Sequence, residues 1–150
     1  MPRALIVDDS RYQRFLIIQA LEGLFTPEEA ADGREAIRRF EEALGRGEPF
    51  DLIVMDILMP VLSGHDALSG IRRIEAGRGL AGERRTPAVM LSSLDDPANM
   101  MRAQFESGAQ AYVTKPFTPQ TLLEALASLG LHDNPLGDDA EDATFPCKAF

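Results

Sequence analysis

The sequence predicts an α/β fold, a doubly wound, mostly parallel sheet of five strands with five helices on its two faces. Three observations carry this. Short apolar runs alternate along the chain with segments whose apolar residues recur at helical spacing. The runs are near-continuous rather than alternating in and out, as strands covered on both faces require. The chain has 150 residues, 45% of them hydrophobic, which is enough for one buried core and one domain.

The clear strands are Ala4–Val7, Leu52–Met55, Ala88–Leu91 and Ala111–Val113. A fifth, near Glu28–Ala31, is short and poor in β-branched residues; the helices expected on either side of it imply it. After the first strand, Ser10 suits an N-cap, and Tyr12, Phe15, Leu16, Leu21 and Leu24 follow at helical spacing. Asp32-Gly33 opens a second helix through Ala36, Ile37, Phe40 and Leu44, ending near Gly45 and Gly47. Ala67, Leu68, Ile71 and Ile74 mark a third, followed by a charged, Gly-rich loop through Arg85. Asp96-Pro97 sets a capping acid before a first-turn proline, with Ala98, Met101 and Phe105 on one face. Thr118-Pro119 repeats the device before Leu122, Leu123, Leu126 and Leu129. Residues 131–150 lack either period and include Asn134-Pro135, an acidic run over Asp138–Asp142 and Pro146. The division expected is therefore a folded domain over 1–130 and an acidic, disordered tail or linker start over 131–150. His65 and His132 lack metal-like spacing and are expected at the surface.

Composition excludes several function classes. No apolar run approaches the roughly 18 residues of a membrane span. The start of the chain has no signal-peptide layout, so a cytoplasmic location is expected. One cysteine, Cys147, excludes an internal disulfide framework and a multi-cysteine zinc site. The net charge is −9; residues 131–150 hold five acids and one lysine, leaving −5 for residues 1–130. That balance argues against direct nucleic-acid binding, which draws on Lys and Arg at phosphates.

In an open parallel sheet, sites form beyond the carboxyl ends of the strands. Here the first strand ends Val7-Asp8-Asp9 and the third Met55-Asp56. The fourth ends Leu91-Ser92-Ser93 and the fifth Val113-Thr114-Lys115-Pro116. Three carboxylates, a hydroxyl and an ammonium would converge on one edge. Carboxylates so close repel one another unless a cation neutralises them, and Mg²⁺ suits hard oxygen ligands. A carboxylate can also attack phosphorus to give an aspartyl phosphate, with the metal and a lysine neutralising the equatorial oxygens. Each residue has a plainer reading: Asp56 as a turn residue, Asp8 as a neighbour of the Ser10 cap, Lys115 as a solvated lysine. Ser92, directly after the apolar run, is favoured over Ser93 as the hydroxyl donor.

From about Arg3 to Leu129 the chain resembles the receiver domains of two-component response regulators, including single-domain chemotaxis regulators. The pieces are Asp8-Asp9, Asp56-Ile57-Leu58-Met59-Pro60 ending at Gly64, Ser92, and Lys115-Pro116-Phe117, in order and each at a strand end. The resemblance implies a flavodoxin-like strand order 2-1-3-4-5. It implies Asp56 as phosphoacceptor and Asp9 as direct Mg²⁺ ligand, with Asp8 holding metal-bound water. The Leu58 carbonyl would be a further ligand, Ser92 the switch hydroxyl, Lys115 the ammonium and Tyr112 the switching aromatic. A cis bond before Pro116 is implied too. The partners implied are a histidine kinase or histidine phosphotransfer protein as donor and a downstream protein as receiver of the signal, with dimerisation on phosphorylation allowed. Three features depart from the family pattern: the longer connections Glu42–Phe50 and Gly77–Arg85, and Ser63 where an acid is common.

Two rivals come from other classes. An aspartate-dependent phosphatase needs a second acid two residues after its nucleophile, where this chain has Leu58. A phosphorylation-independent binding module would keep the fold without affinity for Mg²⁺.

Overall fold

A computed structural model describes residues 1–93, 97–131 and 147–149. The elements follow the expected alternation: β1 (Arg3–Val7), α1 (Arg11–Ala20), β2 (Thr26–Ala30), α2 (Gly33–Gly45), β3 (Leu52–Asp56), α3 (Gly64–Gly77), β4 (Ala88–Ser92), α4 (Pro97–Met101), β5 (Ala111–Thr114) and α5 (Pro119–Ser128). A 3₁₀ turn, Gly82–Arg84, lies in the long loop before β4. Strands β1 to β5 are parallel in the order β2-β1-β3-β4-β5. No helix among the described residues is long and apolar enough to cross a membrane.

The continuous apolar runs have a simple cause. Successive strand residues point to opposite faces, and both faces are buried. Leu5, Val7, Ile53, Met55, Met90 and Tyr112 pack under α2 and α3. Ala4, Ile6, Leu52, Val54, Val89 and Val113 pack under α1 and α5 with Ile17, Leu21, Leu122 and Leu126. Helix starts follow local chemistry: Ser10, Asp32, Ser63 and Thr118 each accept the backbone N–H three residues on. The expected cap at Asp96 lies outside the described residues, as does His132.

Three expectations are corrected. The weak strand begins two residues earlier than Glu28, at Thr26. It is an edge strand with mostly exposed residues, so it tolerates Pro27 and carries charge where an inner strand carries apolar bulk. Glu28 pairs with Arg3 and Arg39, and Glu29 with Arg14. The fourth helix does not run on as an α-helix, because Arg102–Ser107 forms a π-helical turn closed by Gly108 at φ 80°. Finally, residues 131–150 are not wholly without strand: Cys147–Ala149 forms β6, antiparallel to β5 at the sheet edge. Of the residues expected to form the acidic, disordered tail, 132–146 and 150 lie outside the described ones. A three-residue strand of Cys, Lys and Ala has no period to read; an open neighbouring edge defines it.

Candidate functional site

The carboxyl ends of β1, β3, β4 and β5 meet where the chain leaves β1 toward β2 and β3 toward β4, on opposite sides. Asp8, Asp9 and Asp56 each offer a carboxylate oxygen, and these lie within 4.8 Å of one another. Asp8 is 1% and Asp56 6% exposed, while Asp9 faces solvent. Lys115 Nζ sits between two of them, 3.0 Å from Asp8 Oδ2 and 3.3 Å from Asp56 Oδ1. Asp8 Oδ1 accepts from the Ser10 N–H at 2.9 Å, and its carbonyl accepts from Arg14 Nη1 at 2.6 Å.

The charges do not balance. Burial pushes the Asp56 carboxyl up to about 6, and Asp8 and Asp9 push the same way, against the opposing pull of Lys115. Three acids against one lysine leave room for a divalent cation, and every ligand on offer is a hard oxygen. The donor set fits Mg²⁺. The Leu58 carbonyl, two residues beyond Asp56, follows β3 into the loop that carries the site.

That loop is held tightly. A Cβ on Gly64 would lie 2.2 Å from the Asp56 carbonyl oxygen, so only glycine allows α3 to start there. Gly64 N–H also donates to the Ile57 carbonyl at 2.8 Å. Between them Val61 has φ 72°, and the Leu62 N–H reaches the Pro60 carbonyl at 2.8 Å, a γ-turn in its strained, positive-φ form. Val61 and Leu58 are exposed. The Lys115–Pro116 bond is cis.

Ser92 ends β4 and is buried, with its carbonyl accepting the Lys115 N–H at 2.8 Å; Ser93 is exposed. Ser93 instead lines a cleft of about 240 Å³ with Gln13, Leu16, Pro116, Phe117 and Lys115, the residue it shares with the acid cluster. Tyr112 is fully buried on the α3 side, in one cluster with Met90 and Ala103. Its ring already lies inward.

Sequence reasoning missed two features. Val61 carries no signal, since valine is among the residues least suited to positive φ. His65, expected at the surface, is only 2% exposed. Its signal was a polar stripe, His65, Ser69 and Arg72, at helical spacing on one face of α3.

Comparison with known proteins agrees with this fold. Residues 4–127 match the family described as the response regulator receiver domain. The chemotaxis protein CheY of Halobacterium salinarum is 33% identical over 128 residues, spanning 85% of this chain and 95% of that protein. The structure of chemotaxis response regulator CheY4 of Vibrio cholerae superposes with a TM-score of 0.70 at 30% identity, over 86% of this chain and 98% of that one. The receiver domain of Ssk1 from Saccharomyces cerevisiae, solved with the histidine phosphotransfer protein Ypd1, gives 0.69 at 26% identity, over 81% and 83%.

Proposed function

This chain belongs to the response regulator receiver domain family, a family of signalling modules rather than turnover enzymes, and on that premise we propose that Asp56 accepts a phosphoryl group with Mg²⁺ bound. The observation that carries the proposal is Lys115 Nζ poised between Asp8 and Asp56 in a pocket with excess negative charge. The donor is a phosphohistidine on a kinase or phosphotransfer protein, supported by the likeness to a receiver solved with such a protein. An Asp56 carboxylate oxygen forms the new P–O bond as the P–N bond to the donor imidazole breaks, and the imidazole nitrogen takes up a proton. Lys115 neutralises a phosphoryl oxygen and the Ser92 hydroxyl donates to another.

Asp9, Asp56 and the Leu58 carbonyl would hold Mg²⁺, which supplies charge neutralisation at the transferring phosphoryl group. Both oxygens of Asp8 already accept from protein donors, which supports its role as holder of metal-bound water. Drawing Ser92 toward the new charge shifts the end of β4, with Tyr112 holding the inward position against Met90 and Ala103. A changed α4–β5–α5 face then meets a downstream protein. Treatment with a small phosphodonor and Mg²⁺, followed by intact mass, should give one adduct that Asp56→Asn abolishes. An adduct that persists in Asp56→Asn removes the acceptor assignment. The absence of any Mg²⁺-dependent chemical shift change near Asp9 would favour a phosphorylation-independent module.

A further inference from the structure

The N-terminus of α3 touches the phosphoacceptor on one side and the π-helical turn after α4 on the other. On the first side, Gly64 packs on the Asp56 carbonyl and donates to Ile57. On the second, the next residue, His65, reaches across: Nδ1 is 2.9 Å from Ser107 Oγ and Nε2 is 3.3 Å from Asn99 Oδ1. Asp66 pairs with Arg102 at 3.1 Å, Ser69 Oγ donates to the Glu106 carbonyl at 3.4 Å, and Arg72 donates to the Gly108 carbonyl at 2.8 Å. One face of α3 is thus a polar seam against a segment whose backbone has left α-helical register.

Hydrogen-bond stoichiometry makes the centre of this seam a two-position device. In the neutral tautomer that gives its Nε2–H to Asn99 Oδ1, Nδ1 accepts. The donor is the Ser107 hydroxyl, which is fully buried and has one proton. A second acceptor competes for that proton, the Arg102 carbonyl at 3.2 Å, five residues back within the π turn. Bonding to Arg102 closes the π turn on itself; bonding to His65 ties it to α3. Single π turns recur at functional sites, and their hydrogen bonds span one residue more than those of an α-helix.

We propose that His65 is a positioning residue that couples the occupancy of Asp56 to the π turn of Arg102–Ser107 through the N-terminus of α3. The route rests on the phosphoacceptor reading above and is separate from the one through Ser92. Phosphorylation that moves the Asp56 backbone moves Gly64 with it, because no gap separates them. His65, one residue on, then changes its reach to Ser107, and the shared proton passes between its two acceptors. Asp56 and the π turn are linked through Gly64 and His65, and the turn serves as the two-state element that coupling requires.

The test is amide hydrogen exchange across residues 99–107 in the full chain, with and without a small phosphodonor and Mg²⁺. Intact mass on the same samples scores the Asp56 adduct. Wild type should show at least about a fivefold change in exchange on phosphorylation, the lower end for coupled sites. His65→Gln and Ser107→Ala should still form the adduct while that change falls to within about twofold. A merely structural His65 would raise exchange in both states and leave their ratio intact, and that result overturns the proposal. So does an unchanged wild-type response in Ser107→Ala, a small deletion that keeps the answer available if His65→Gln unfolds. No adduct in the wild type would instead overturn the receiver reading, and the coupling with it.

Discussion

Asp56 concentrates the chemistry into a property that can be weighed. Its carboxyl titrates near 6 in the fold against an ordinary value of 3.8, chiefly from burial. A raised carboxyl binds its proton better folded than unfolded, so its stabilising contribution is full below about pH 4 and is lost as pH rises through about 6. In metal-free buffer, Asp56→Asn should therefore gain on wild type by on the order of 2–3 kcal/mol between those limits, read by urea denaturation at each pH. Saturating Mg²⁺ should erase the difference, since the metal favours the ionised form. Superimposable pH profiles for the two proteins would show that Asp56 is not raised. Val61 supplies a second residue-scale prediction. Its positive φ costs roughly 1–2 kcal/mol in a β-branched residue, and Val61→Asn should recover about 1 kcal/mol as a higher denaturation midpoint. Asp8, Asp56 and Lys115 were legible in the sequence because each ends a strand, and strand ends have one place to go. Val61 was not, because its φ follows from closing the loop between β3 and Gly64.

At the scale of elements, α3 does more than cover the sheet. Its inner face packs Ala67, Leu68 and Ile71 on the core, and a flank holds the polar seam. At the far end of the helix Arg72 and Glu75 form a 2.8 Å ion pair with side chains 10% and 0% exposed. Arg72 also donates to the Thr86 and Gly108 carbonyls, and Glu75 accepts the Thr86 N–H at 2.7 Å. The pair ties the entries to β4 and β5 to one helix. Arg72→Ala leaves a buried carboxylate unpaired and should cost about 3–5 kcal/mol, with faster amide exchange over residues 108–110. A loss below about 1 kcal/mol would mean that the pair behaves as a surface one. The apolar spacing of α3 announced the helix and its core face. The partners of His65 and Arg72 were hidden, since they lie 34 to 42 residues away in sequence for His65 and up to 38 for Arg72.

The whole molecule is a sheet whose two edges are managed differently. Edge strand β2 is blunted by charge, with Glu28 and Glu29 held by arginines; the β5 edge is covered by β6. β6 pairs Val113 with Cys147, Tyr112 with Lys148 and Ala111 with Ala149, on the β5 edge of the face proposed to meet a downstream protein. Truncation after Leu131 should speed amide exchange in residues 111–113 while leaving the fold and the Asp56 adduct intact, with a stability change under about 1 kcal/mol. Unchanged exchange there would mean that β6 does not protect the edge. The sequence by itself determined the alternation of strands and helices, the two-sided burial of the sheet and the gathering of acids, serine and lysine at one edge. These follow from local periodicity and from the rule that parallel strands end together. Tertiary structure alone decided the burial that raises Asp56, the π turn, the burial of His65 and the strand at Cys147–Ala149. Each depends on groups distant in sequence whose approach no local pattern records.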